Sequence, residues 1–314
     1  MRGITPGIRM RHIIIALLLL GIGLSPVGAA ERKHIVIKKK MSARHPVRQV
    51  STEEVRRLML QSSAALVQDQ TTGAILFSKN ADAVAPIASI TKLMTAMVVV
   101  DADLPLQEVL DIDQNDVDTL KGTHSRLRVG AHLTREEMLR LALMASENRA
   151  AAALSRHYPG GREAFVAAMN QKAKTLGLSD TRFQDSTGLT SANVSSARDL
   201  ARMVDAAHQY PLIREFSTGT DHKIKIAGQA LTFRNTNGLV KNSAWDIGLS
   251  KTGYIREAGK CLVMQARLNN KPMIIVLLDS WGRQTRIGDA NRIRRWMESA
   301  ALPPSTTVTP LIPS

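Results

Sequence analysis

Three short motifs constrain this chain more than its composition does. They are Ser89-Ile90-Thr91-Lys92, Ser146-Glu147-Asn148 and Lys251-Thr252-Gly253. Each is weak alone, because so short a pattern recurs by chance. The gaps between them, 57 residues from Ser89 to Ser146 and 105 from Ser146 to Lys251, leave room for a helical subdomain and a return to a sheet. Ser89 and Lys92 are three apart, a spacing that shares one helix face, so the Lys92 ammonium reaches the Ser89 hydroxyl. A serine hydroxyl needs a base to become a nucleophile. A lysine near its ordinary pKa of about 10.4 is no base at neutral pH, but burial or a neighbouring cation lowers it. Lys251 is such a neighbour if the motifs converge. Pro86-Ile87-Ala88 suits a helix start that points Ser89 into a cleft, with backbone N–H groups close to developing negative charge.

The other two motifs supply the remaining chemistry. A hydroxyl at Ser146, between Ser89, Lys92 and Lys251, can relay a proton to a leaving amine. Asn148 offers an amide donor and acceptor, suited to holding a peptide backbone. Glu147, between them, is expected to point away as an exposed charge. Lys251-Thr252-Gly253 reads as a strand in which Lys251 and Gly253 share a face. Lys251 and the Thr252 hydroxyl suit a substrate carboxylate, and Gly253 removes a side chain where substrate must approach the backbone. The amide of Tyr254 can pair with that of Ser89 as an oxyanion hole. Competing chemistries are poorly served: there is no H-E-x-x-H zinc site, no G-x-S-x-G elbow and no Gly-rich phosphate loop. His124, His132 and His157 read as ordinary surface or core residues.

Hydrophobic patterning gives a sheet split by helices. Ala64–Val67 and Ala74–Phe77 flank a Gly-containing turn, a hairpin. Helices are expected from Ser89 through Val98, from Thr134 with Glu137 completing a capping box, over Arg162–Leu176, and over Ser196–Ala207. Strands return at Leu249–Tyr254, Lys260–Leu268 and Met273–Leu278, and Arg286–Glu298 closes as a helix. Hairpins at both ends with helices between predict an α/β (α+β) fold: one mostly antiparallel five-stranded sheet covered by helices, plus a helical lobe.

Residues 1–29 read as a cleavable signal peptide: Arg2, Arg9 and Arg11, then the apolar run Ile13–Leu24, then small residues before Ala30. The run of twelve is short of the about 20 residues needed to span a bilayer. The chain carries a net +15, and residues 30–57 hold nine Lys or Arg against three Glu, a net +6. For an exported chain, this excess (within the expected basic segment 30–62) favours anionic envelope polymers or membrane head groups as partners over nucleic acid. One cysteine, Cys261, forms no internal disulfide and reads as a buried small hydrophobe. The expected catalytic domain spans 63–298, followed by a disordered Pro/Ser/Thr tail over 299–314.

These motifs resemble those of the low-molecular-mass penicillin-binding proteins, the serine D-Ala-D-Ala peptidases, whose fold is β-lactamase/transpeptidase-like. Asp185-Ser186-Thr187-Gly188-Leu189, Ser195-Ser196-Ala197-Arg198-Asp199 and Arg234-Asn235-Thr236-Asn237-Gly238-Leu239 extend the likeness over Ser63 to Glu298. The resemblance implies Ser89 as acylated nucleophile, Lys92 as its base, and Ser146, Asn148, Lys251, Thr252, Gly253 and Tyr254 lining the cleft. It implies peptidoglycan peptides and β-lactam antibiotics as partners, and no metal or organic cofactor. Ser-Glu-Asn in place of Ser-Gly-Asn, together with Arg256-Glu257-Ala258-Gly259, is most similar to the penicillin-binding protein 7 group, periplasmic D,D-endopeptidases. The chain after Lys251 is shorter than in the anchored carboxypeptidases, which points the same way. D-Ala-D-Ala carboxypeptidase and a non-catalytic peptidoglycan-binding protein on the same fold remain alternatives. A β-lactamase is disfavoured, since no E-x-x-L-N segment follows Ser146.

Overall fold

The structure is a computed structural model that describes residues 58–300 except Ala227 and Arg283. The expected signal peptide, most of the basic segment and the tail beyond residue 300 lie outside the described residues. The packed body begins ahead of residue 63, because Leu58 and Leu60 are buried.

The expected hairpin opens the body. Strands β1 (Ser62–Asp69) and β2 (Ile75–Lys79) pair antiparallel. Asp69 sets the turn, its carboxylate accepting from the amides of Thr71 and Thr72 at 2.9 and 3.0 Å. After β3 (Ala85–Pro86) the chain reaches the first motif, where the helix starts later than expected. Ala88–Ile90 form a single 3-10 turn and α1 runs Thr91–Asp101. Ala88 has φ +48°, a left-handed conformation that cannot continue a helix. From Thr91 to Val99 every residue of α1 is buried, as expected of a helix apolar on all sides.

The helical lobe follows. β4 (Val109–Asp111) pairs with β5 (His132–Thr134). Helix α2 (Arg135–Met144) starts with the expected capping box: Thr134 Oγ1 accepts from the Glu137 amide at 3.1 Å, and Glu137 accepts from the Thr134 amide at 2.9 Å. Helix α3 (Asn148–Arg156) was not anticipated. Its run of four alanines favours helix, and its buried side, Ala150, Ala151, Ala153 and Leu154, is built almost wholly of small residues that the sequence reading passed over. α4 (Gly161–Thr175) stands where expected. β6 (Val194–Ser195) pairs with β3, and α5 (Ala197–His208) is capped by the Ser196 hydroxyl, which accepts from the Asp199 amide at 3.2 Å. A short α6 (Pro211–Thr218) and the hairpin of β7 (Asp221–Ile226) and β8 (Gln229–Arg234) are also additions to the expected elements.

Three long strands then complete the sheet: β9 (Asp246–Ile255), β10 (Gly259–Leu268) and β11 (Lys271–Ser280). The order is β2-β1-β11-β10-β9 with antiparallel neighbours throughout, which bears out the expected fold class. Asn269 and Asn270, at φ +51° and +59°, make the tight turn joining β10 and β11, as suits a two-residue hairpin loop. Both sheet faces are apolar, so these strands read as continuous runs rather than alternations. Leu66, Val263 and Val276 face the helical lobe. Val67, Leu262 and Ile275 face the other way, under α7 (Thr285–Ala300). The sandwiched sheet is a rigid floor, and its edge strand β9 carries the third motif to the foot of the lobe.

Candidate active site

All three motifs converge. Lys92 is fully buried, and its Nζ donates to Ser89 Oγ at 2.8 Å, Asn148 Oδ1 at 2.7 Å and the Thr187 carbonyl at 2.7 Å. Lys251 Nζ donates to Ser146 Oγ at 2.9 Å and to the Thr252 carbonyl at 3.0 Å. Two buried lysines thus each hold one serine hydroxyl. Ser146 has φ +59°; this left-handed residue ends α2 and lets α3 begin at Asn148.

The loop between α4 and β6 closes over the first pair, which the sequence reading did not assign. Asp185 organises it: its carboxylate accepts from the amides of Thr187, Gly188 and Thr190 at 2.9, 2.6 and 3.2 Å. Asn193 Nδ2 ties that carboxylate, at 3.0 Å, to Thr91 Oγ1, at 3.1 Å. The carbonyls of Ser186 and Thr187 therefore face α1, where they accept from Thr95 Oγ1 at 2.6 Å and from Lys92. Gly188, at φ +80°, lies so close that a Cβ there would overlap the Ala88 carbonyl.

Glu147 is not the exposed charge expected of it. It is 9% exposed, and its carboxylate accepts from Ser125 Oγ. The loop that carries Ser125 folds over the start of α3 and removes Glu147 from water, which lifts its pKa. Asn148 uses both ends of its amide, accepting from Lys92 and donating to Thr123 Oγ1 at 3.0 Å.

On β9, Thr252 Oγ1 donates to Thr236 Oγ1 at 2.6 Å. The Thr236 amide in turn donates to the Met144 carbonyl at 3.1 Å, so the segment before β9 stitches the strand to the end of α2. What meets the missing side chain of Gly253 is the turn that carries Ser89. A Cβ there would lie 2.9 Å from the Ile87 carbonyl oxygen and 3.1 Å from the Ser89 amide nitrogen. Tyr254 is 61% exposed at the cleft edge, with Lys260 Nζ 4.5 Å from its ring centroid.

Arg286 on α7 is a residue the sequence reading missed. Its Nη1 makes long bonds to the carbonyls of Gly253 and Cys261, 3.3 and 3.4 Å. Its buried Nε has no partner, and no carboxylate among the described residues pairs with it. No local pattern announces it, because it reaches the strand only through the tertiary fold.

Electrostatics follow from burial. Desolvation pushes Lys92 down to about 7, against the opposing pull of Asp185 and Glu147. Lys251 is also held well below its ordinary value, by burial first and then by the charges of Lys92 and Arg286. A lysine titrating near 7 is a competent base at neutral pH. Cys261 is buried, and its thiol is raised to about 11, so it remains a core residue and not a nucleophile. Beside the pair a cavity of about 200 Å³ opens, lined by Asn148, Thr187, Leu189, Leu120 and Arg162.

A sheet with helices on both faces, its edge strand set against a serine paired with a buried lysine, is the architecture of the DD-transpeptidase fold. The crystal structure of the Streptomyces K15 DD-transpeptidase matches with a TM-score of 0.71 at 28% identity, covering 76% of this chain and 98% of that one. The chain belongs to the peptidase S11 family, D-alanyl-D-alanine carboxypeptidase, which residues 49–282 match, and it is a serine-type D-Ala-D-Ala peptidase. It is 52% identical over 242 residues to a D-alanyl-D-alanine endopeptidase of Pseudomonas aeruginosa (76% of this chain, 78% of the relative). It is 49% identical over 245 residues to a protein of the same description from Escherichia coli (77% and 79%).

Proposed function

We propose that this protein is a periplasmic D,D-endopeptidase that cuts D-Ala-containing peptidoglycan cross-links through an acyl-enzyme on Ser89 and is acylated by β-lactams. The observation that carries this reading is the buried Lys92 ammonium at 2.8 Å from Ser89 Oγ. Neutral Lys92 takes the Ser89 proton as Oγ attacks the D-Ala carbonyl carbon. The oxyanion is held by the amides of Ser89 and Tyr254. The C–N bond breaks, and Ser146, hydrogen-bonded to Lys251, passes a proton to the leaving amine. Water then cleaves the ester and frees Ser89. Asn148 and β9 align the substrate backbone, while Lys251, Thr252 and Arg286 attract a carboxylate on the leaving residue.

The endopeptidase assignment draws on the two relatives of about half identity. Purified cross-linked muropeptides should be converted to monomers without release of free D-Ala. Release of D-Ala from pentapeptide monomers would instead make the enzyme a carboxypeptidase. A labelled penicillin should mark the peptide containing Ser89, and Ser89→Ala should abolish both label and turnover. Persistent labelling of that variant would move the nucleophile to another serine.

A further inference from the structure

Three consecutive residues at the start of α3 hold alternate residues of one loop. Glu147 accepts from Ser125 Oγ, Asn148 Nδ2 donates to Thr123 Oγ1 at 3.0 Å, and Arg149 Nη1 donates to the Leu127 carbonyl at 2.7 Å. Ser125 Oγ also accepts from the Leu127 amide at 3.0 Å, so the loop is internally braced at the Glu147 contact. At its other side the loop reaches the sheet lobe. Lys121 Nζ pairs with Glu257 in the β9–β10 turn at 2.6 Å. Arg126 Nη1 donates to the Thr232 carbonyl on β8 at 2.6 Å, with its guanidinium 3.8 Å from the Phe233 ring centroid. Residues 118–127 therefore form a strap from lobe to sheet, and Asp118 and Leu120 on it line the cavity beside Asn148.

Among the three tethers only Glu147 brings a negative charge into the interior, and no cation among the described residues pairs with it directly. Asn148 joins the two systems, one end of its amide on Lys92 and the other on the strap. The charges felt at Lys92 are Asp185 from the α4–β6 loop and Glu147 from the turn before α3, and Lys251 on β9 in turn feels Lys92. Glu147 itself also feels Arg126 on the strap. Asp185 spends its oxygens on loop amides, so Glu147 is the carboxylate whose removal changes the charge around Lys92 with the Asp185 loop left intact.

We propose that Glu147 is a positioning residue for the Ser89–Lys92 pair: through Ser125 it holds the strap over the start of α3, and its carboxylate is, beside Asp185, a counter-charge of the Lys92 ammonium. This rests on Lys92 being the base of Ser89. Acylation then needs neutral Lys92, so its rate rises with pH through about 7. Removing the negative charge lowers Lys92 further. In Glu147→Gln the acid limb should move down by about one pH unit, and at pH 6 the variant should keep a roughly fivefold larger share of its own plateau rate.

The test is the pH profile of Ser89 acylation by a fluorescent penicillin, with KM for a cross-linked muropeptide, on the whole chain. Ser125→Ala keeps the charge and drops the tether; it should raise KM several-fold and leave the limb near its original pH. An acid limb in Glu147→Gln that stays in place or rises, with a uniform loss of rate, would show a merely structural residue and overturn the proposal. If Glu147→Gln does not fold, Glu147→Asp decides: it should hold the limb within a few tenths of a unit while raising KM, and a KM unchanged from the parent overturns the proposal. A parent protein that never acylates Ser89 would sink the acyl-enzyme reading itself, and this inference with it.

Discussion

Lys92 is where the costs of this site are concentrated. A lysine whose pKa falls from 10.5 to about 7 on folding binds its proton less well folded than unfolded. Between pH 7 and 10.5 the unfolded chain therefore holds more protons, and stability rises with pH across that window. Below it the burial cost is fully present, about 4–5 kcal/mol on the usual conversion. Lys92→Met removes that cost and also strands the Asn148 and Thr187 acceptors, a penalty of about 1–3 kcal/mol each. Only the first effect depends on pH. The melting temperature of Lys92→Met minus that of the parent should accordingly shrink as pH rises from 7 to 10, while acylation is lost throughout. A difference that stays flat or widens over that range would mean that Lys92 keeps an ordinary pKa in the folded protein. The sequence already displayed Ser89, Lys92, Ser146, Asn148 and Lys251 as motifs, and the structure brings all five together. It did not display the burial of Glu147, which depends on a distant loop folding over it, nor Arg286, whose partners lie on strands far away in the chain.

At the scale of elements, close approach of backbone explains both glycines beside the Ser89 turn. Gly188 sits at φ +80° with its open side against the Ala88 carbonyl, and Gly253 backs onto the same turn with looser contacts of 2.9 and 3.1 Å. Backbone atoms cannot swing away as side-chain ends can, so the overlap at Gly188 must be relieved by moving the Ser89 turn or the Asp185 loop. Gly188→Ala should cost about 2–4 kcal/mol from strain and positive φ together, and slow acylation by at least tenfold. Gly253→Ala should cost less on both counts. Urea denaturation with penicillin-labelling rates compares them, and equal or reversed effects would show that the turn yields more easily at Gly188 than its contacts indicate. Helices with caps and long apolar strands were legible beforehand: Thr134 with Glu137, Ser196 with Asp199, and β9 to β11. The elements missed had weak local signals. Helix α3 is nine residues whose buried side is mostly alanine, α6 spans eight residues, and β7 and β8 are short, largely exposed strands whose pairing supplies what their side chains do not.

For the whole molecule, charge and catalysis are divided along the chain. Every motif residue lies after Leu58, whereas residues 30–57 carry a net +6 out of +15 for the full sequence. Leu58 and Leu60 are buried with the lower-face core, so a chain shortened to begin at Ser51 keeps the packed body intact. A polybasic segment is attracted to anionic wall polymers or lipid head groups with an energy of about 1 kcal/mol per charge near such a surface. That attraction is screened over about 8 Å at physiological ionic strength. The full-length protein should thus bind purified cell wall or anionic vesicles more tightly than the shortened one at low salt, and the gap should close as salt rises. Acylation of a soluble penicillin should proceed at the same rate in both, since that small substrate needs only the cleft. Equal binding by the two proteins across the salt series would remove the segment from any part in targeting. A large loss of acylation on shortening would show instead that residues before Ser51 act on the catalytic body.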